Sequence, residues 1–292
     1  MAHASQAIRD RIARSSQSAV TFALLLPGLF AFFGLFFYPF LVTFLMSLRP
    51  EGETTGWTLE HYVALLGDPQ YRQVVILTFG LAIAATALCI VLSVPLSLVL
   101  RRKLKGSRFF RMLVLVPLVV PGLIAALGLL LLYGSRGWVN LFLRDVLGAA
   151  NPLNIVYTIP GLILFYVWLY FPYTCLTTLS ALEGVDPGIE EAAEVAGANR
   201  WKVLRHIVLP LITPGILSGS VLTFMAAFGA FSIPLIAGGN YRPLAVEIYK
   251  QIDLFIPARW SMASAMAVLM GVMQVVFLTI YMRFLRRGQA KA

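Results

Sequence analysis

The residues able to do chemistry in this chain gather in one stretch, E-G-V-D-P-G-I-E-E-A-A-E-V-A-G-A-N-R-W-K-V-L-R-H-I-V-L-P, from Glu183 to Pro210. It holds five of the chain's thirteen acids, and the bases Arg200, Lys202 and Arg205 follow them. Such a pattern suits charge pairing with a partner better than covalent catalysis. His3, His61 and His206 are scattered, and Cys89 and Cys175 sit inside apolar runs without C-x-x-C spacing. No metal site or redox pair is therefore expected. There is no Ser-His-Asp set, no phosphate-cradling glycine loop and no pair of carboxylates within an apolar run. The chain is read as a non-enzyme that carries no cofactor of its own.

Local rules give this stretch a form. Asp186 is placed to cap a first short helix, Pro187 fits its first turn, and Glu190, Glu191 and Glu194 lie early in it, where the helix dipole favours negative charge. Gly197 can adopt the left-handed conformation that stops a helix, and Asn199 can cap a second helix carrying Arg200, Lys202 and Arg205. Ala192, Ala193, Ala196 and Ala198 leave a surface of small side chains beside Glu191. From physical chemistry alone this helix-turn-helix is either a docking surface for a basic protein or an amphipathic linker lying on lipid headgroups.

The elements that must carry it are membrane spans. The 292 residues are 59% apolar and 12% charged, whereas soluble domains are nearer half and a quarter. Uncharged apolar runs occur at about Val20 to Leu48, Val74 to Leu100, Met112 to Tyr133, Ile155 to Ala181, Val208 to Ala237 and Met262 to Met282. Each is long enough to cross a hydrocarbon layer of ~30 Å as a helix. The first follows Arg9, Arg11 and Arg14 but is too long for a signal-peptide core and lacks an A-x-A-like site after it, so it is read as a retained span. The expected fold is an all-α membrane protein of about six transmembrane helices.

With the N-terminus inside, the inner segments hold sixteen Lys and Arg residues against seven in the outer loops. The loop R-R-K-L-K-G-S-R-F-F-R, Arg101 to Arg111, reads as a positive-inside anchor near anionic headgroups. The net charge of +10 is thus a matter of topology, and nucleic-acid binding is not expected. The expected division is a cytoplasmic tail at 1–19, a transmembrane domain at 20–285 with its inner loop at 182–210, and a cytoplasmic tail at 286–292. No ionisable residue lies near the centre of a run, so an ion-coupled mechanism is disfavoured and another energy source is needed. Prolines inside the runs, such as Pro95, Pro121, Pro172 and Pro214, suit a bent bundle.

Glu191-Ala192-Ala193, three residues, Gly197, nine residues, Ile207, one residue, Leu209 and Pro210 reproduce E-A-A-x3-G-x9-I-x-L-P. In this the chain resembles the permease subunits of binding-protein-dependent ABC importers. The resemblance implies a type I importer fold and a coupling helix around Pro187 to Ala196 that enters a cleft on a separate ATP-binding subunit, where the ATP is held. Glu191 would pair with a basic ATPase residue, Ala192 and Ala193 would permit close packing, Gly197 would make the bend, Leu209 and Pro210 would start the fifth span, and Ile207 belongs to the same ATPase-coupling motif. The further partners implied are a second permease subunit, an extracytoplasmic substrate-binding protein and the lipid bilayer. The location implied is a bacterial or archaeal inner membrane, with both termini cytoplasmic.

The first outer loop, T-L-E-H-Y-V-A-L-L-G-D-P-Q-Y, and the region after the fifth span look more like permeases for polyamines, ferric iron, phosphonates or similar small solutes than sugar permeases. Ala196 stands where many sugar-transporting relatives carry Asp. Pro234 and Gly238-Gly239 break the helical pattern, so Phe228, Phe231 and Ser232 are expected near the translocation path, unless those aromatics pack or face lipid. Arg136, Arg144, Arg242 and Arg259 in the outer loops either favour an anion or are solvated. The alternative readings are a sugar-type permease, a secondary transporter working without ATP, and a membrane-embedded assembly factor or enzyme.

Overall fold

In lipid a backbone N–H finds no partner outside its own segment, so spanning elements must close their hydrogen bonds internally. In the computed structural model, which describes residues 21–53, 55–102, 106–149, 153–254 and 259–289, with side chains as far as Arg283, every regular element among the described residues is helical. The expected tail at 1–19, residues 103–105 of the basic loop and the last three residues of the expected C-terminal tail lie outside the described residues. In chain order the helices are α1 (Thr21–Ser47), α2 (Glu60–Gly67), α3 (Pro69–Arg101), α4 (Ser107–Val119), α5 (Gly122–Tyr133) and α6 (Trp138–Asp145). They continue as α7 (Ile159–Glu183), α8 (Pro187–Val195), α9 (Arg200–Phe228), α10 (Ser232–Ala237), α11 (Leu244–Asp253) and α12 (Trp260–Gln289).

Six stretches are long and apolar enough to cross a membrane: α1, α3, Gly122–Asp145, α7, α9 and the Trp260–Arg283 part of α12. The third departs from expectation. The run from Met112 to Tyr133 is split where Val120 and Pro121 adopt extended backbone between α4 and α5. Pro121 has no N–H to donate and disfavours a helical conformation at Val120, so one apolar run becomes two helices. Asn140 then holds the turn from α5 into α6, donating to the carbonyls of Gly134 at 2.8 Å and Leu153 at 3.2 Å.

The centre of the bundle is the packing of α3, α7 and α9. It is close because small residues line it. A Cβ added at Gly219 would meet Thr174 Cα at 2.7 Å and Thr177 Oγ1 nearer still, and one at Gly215 would meet the Thr177 carbonyl at 3.0 Å. Without a hydrophobic drive between helices in lipid, such approach plus polar contacts supplies association. Thr174 and Thr223 share a hydrogen bond of 2.7 Å, and Ser97 donates to the Cys175 carbonyl at 3.1 Å. By contrast α1 is exposed from Thr21 to Leu41, and only its C-terminal end packs, against α12.

Two π-helical turns, Phe33–Phe37 in α1 and Leu204–Val208 in α9, each end two residues before a proline. The bonds Tyr38 N–H to Phe33 O and Leu209 N–H to Leu204 O close them, and Pro39 and Pro210 follow without a donor.

Candidate functional site

The stretch from Glu183 to Pro210 folds as its local signals predict. Asp186 caps α8 by accepting from the Gly188 N–H at 2.9 Å, and Pro187 opens the first turn. At the other end Gly197 takes φ +91°, its N–H donates to Glu194 O at 2.9 Å, and the Ala198 N–H donates to Ala193 O at 3.0 Å. This is the Schellman pattern, in which the residue past the helix end is left-handed and two late carbonyls are satisfied. Nothing lies within 4 Å of a Cβ added at Gly197, so backbone conformation alone calls for glycine there. Asn199 caps α9, accepting from the Lys202 N–H at 2.8 Å.

The motif residues divide by burial. No residue of α8 is buried, and its apolar anchor is small: Ala193 and Ala198 rest on Leu182, Val185, Val203, Val208 and Ile212, with Leu209 beside them. Ile207 is half-buried and Pro210 is exposed on the first turns of α9. Glu191 and Ala192 are exposed on α8, and Val195 and Trp201 near them are 89% and 63% exposed. Large apolar side chains so exposed beside a charged helix are an unfilled surface.

The carboxylates divide as well. Arg101, at the end of α3, pairs with Glu190 and donates to the Val185 carbonyl at 2.8 Å. Arg111 pairs with Glu183 at 2.5 Å and donates to the Leu100 carbonyl at 3.1 Å, while Arg200 lies 3.9 Å from Glu194. Glu191 alone of the four glutamates in this loop has no ion pair or hydrogen bond among the described residues. Between α8, the end of α3 and the start of α9 lies a recess of about 640 Å3, floored by Leu98, Val203 and Val208. A free carboxylate, small neighbours and an apolar flank can dock a basic, grooved partner.

The residues expected near the path separate. Phe228 is 1% exposed and packs edge-on to Phe79 at 4.8 Å and beside Phe224 at 5.7 Å, which makes it a core residue of this chain. Its rank as an aromatic next to a helix break did not reveal which face it occupies. Phe231 and Ser232 are half-buried; Phe231 meets Tyr249 edge-on at 5.4 Å, and Ser232 abuts Gly122 of α5. Near them burial, and then the charge of Arg242, hold the Lys250 pKa below its usual value. Among the described residues no group of three or more His, Cys, Asp or Glu could hold a metal ion. Sequence reasoning missed the roles of Arg101 and Arg111, since no local pattern marks a partner some eighty residues away.

Comparison with known proteins bears on the whole chain. Residues 90–290 match the family described as binding-protein-dependent transport system inner membrane component. The spermidine/putrescine transport system permease protein PotB of Escherichia coli is 29% identical over 230 residues, covering 78% of this chain and 82% of that protein. The molybdenum transport system permease protein ModB of Mycobacterium tuberculosis is 32% identical over 194 residues, covering 64% of this chain and 71% of its own length. Among solved structures, a chain of a bacterial alginate ABC transporter superposes with TM-score 0.78 at 20% identity, covering 93% of this chain and 96% of its own. A chain of the MetNI methionine transporter gives 0.56 at 16% identity, covering 76% and 99%.

Proposed function

This chain belongs to the family of inner membrane components of binding-protein-dependent transport systems, and from that membership we propose that it couples to its energy source through α8 and supplies half of a path for a small charged solute. As a permease it is a multi-pass inner membrane protein and not an enzyme. The observation that carries the coupling reading is the exposed Glu191, without an ion pair or hydrogen bond among the described residues, on a helix none of whose residues is fully buried. Tied to its own chain by Arg101 and Ala193 on one side, α8 leaves its Glu191 side open to a partner.

On this reading α8 enters a cleft of a cytoplasmic ATP-binding subunit, where ATP is bound and hydrolysed. Glu191 pairs with a basic residue there, and Ala192 and Ala193 let the two backbones approach. Gly197 makes the bend, and Ile207, Leu209 and Pro210 root the loop in α9. The permease domain then spans 20–285, both termini are cytoplasmic, and a second permease subunit and an extracytoplasmic binding protein complete the assembly. The path runs past Phe231 and Ser232 between two permease chains, with Phe228 supporting from behind.

For the solute we favour a polyamine-type cation, because the PotB relatives match this chain over the longer stretch. An oxyanion is the second reading, favoured by the ModB relative and by Arg242 and Lys250 at the outer end. The test is purification of the tagged chain in mild detergent. An ATP-binding subunit that accompanies the native chain and is lost on Glu191→Arg is the expected result. A chain that stays alone even after crosslinking overturns the coupling reading. Uptake of labelled spermidine against molybdate by the reconstituted assembly decides the solute class.

A further inference from the structure

We propose that Arg101, the last residue of α3, is a positioning residue that clamps α8 to the transmembrane bundle, and that Arg111, in the first turns of α4, braces the α7 exit against α3 beside it, so that movement of α8 is carried into the spans. The inference rests on the reading of α8 as the docking helix. Its starting point is mechanical. α8 buries no residue and stands off from α3 and the start of α9 across the recess of about 640 Å3. Its apolar anchor is Ala193 and, just past its end, Ala198, side chains too small to fix its position by themselves.

Arg101 bridges that gap. One terminal nitrogen of its guanidinium meets Glu190 in the first turn of α8, and the other donates to the Val185 carbonyl, one residue before the Asp186 cap, at 2.8 Å. A planar fork presents two nitrogens in fixed directions, one to the carboxylate and one to the carbonyl, whereas a lysine must serve both from one strongly hydrated ammonium on a flexible stem. The Arg101 side chain is only 18% exposed, where screening by solvent is weaker than at an open surface. Arg111 makes the second tie: it joins the Glu183 carboxylate at the exit of α7 to the Leu100 carbonyl at the end of α3. The ends of α3, α4 and α7 and the entry to α8 thus form one linked unit. Arg102 is exposed and serves a positive-inside rule equally well, so charge sign alone does not explain why Arg101 and Arg111 are turned toward carboxylates.

The experiment uses the full transporter, with its ATPase and binding protein, in lipid nanodiscs. R101E, E190R, the R101E/E190R swap and R101K are compared by retained ATPase subunit, basal ATP turnover and turnover with loaded binding protein. In the single charge variants the ATPase is expected to stay bound while the ratio of stimulated to basal turnover falls by roughly threefold to thirtyfold, the effect of mutations along a coupling element. The swap recovers most of that ratio, and R101K falls between because it keeps the charge and loses the fork. If R101E does not insert, R101Q and E190Q carry the same comparison. Normal ratios in the single variants, a swap no better than either single, or R101K equal to the native chain would each overturn the clamp. Glu191→Arg is run alongside: if it keeps its ATPase the docking reading fails, whatever the clamp variants do.

Discussion

Replacing Gly197 isolates the contribution of one backbone angle. Its φ of +91° lies where an L side chain crowds its own carbonyl, at a cost of about 1–2 kcal/mol. Because nothing stands within 4 Å of an added Cβ, Gly197→Ala and Gly197→Leu should cost the free loop nearly the same. A free loop relieves that strain by leaving the Schellman turn, and docking must restore it. The penalty therefore appears in the affinity for the ATP-binding subunit, as a weakening of roughly fivefold to thirtyfold. Asn tolerates the left-handed region better than other side chains, so Gly197→Asn should recover much of the loss. The assay is titration of nanodisc-embedded permease with purified ATPase subunit, beside thermal unfolding of the bundle, which should barely move because no residue of α8 is fully buried. Native affinity in Gly197→Ala, or Asn as weak as Ala, would refute the argument from backbone conformation.

Further expectations concern the same loop and the core. Glu191→Gln should leave expression and melting unchanged, as the side chain has no partner among the described residues, yet weaken the ATPase complex by about 2 kcal/mol or more; titration of the two components measures this. Asp186→Ala removes the cap on Gly188 and should cost the loop about 1 kcal/mol, read as faster hydrogen exchange across α8. Gly219→Ala forces α7 and α9 apart and should lower bundle stability by about 1–3 kcal/mol, whereas Gly271→Ala, with nothing within 4 Å, should be neutral; thermal melts of the pair provide the contrast.

What the sequence determined by itself were the features set by local rules. Five of the six spans follow from unbroken apolar length, because lipid forces a long apolar chain to satisfy its own backbone, while the break at Val120 and Pro121 shifts the third. The caps at Asp186 and Asn199 and the stop at Gly197 follow from side-chain and backbone chemistry within four residues, and all three stand where expected. The glutamates of the loop looked equivalent in sequence. Only the folded chain separated Glu190, tied to Arg101, and Glu183, tied to Arg111, from Glu191, which is left over. The same holds for Phe228, whose face in a nearly uniform apolar helix no periodicity marks and which the packing of Phe79 and Phe224 turned inward. Hydrophobicity decides that a segment enters the membrane; which side of it faces a neighbour depends on close fit between helices, and that fit exists only once α3, α7 and α9 have met.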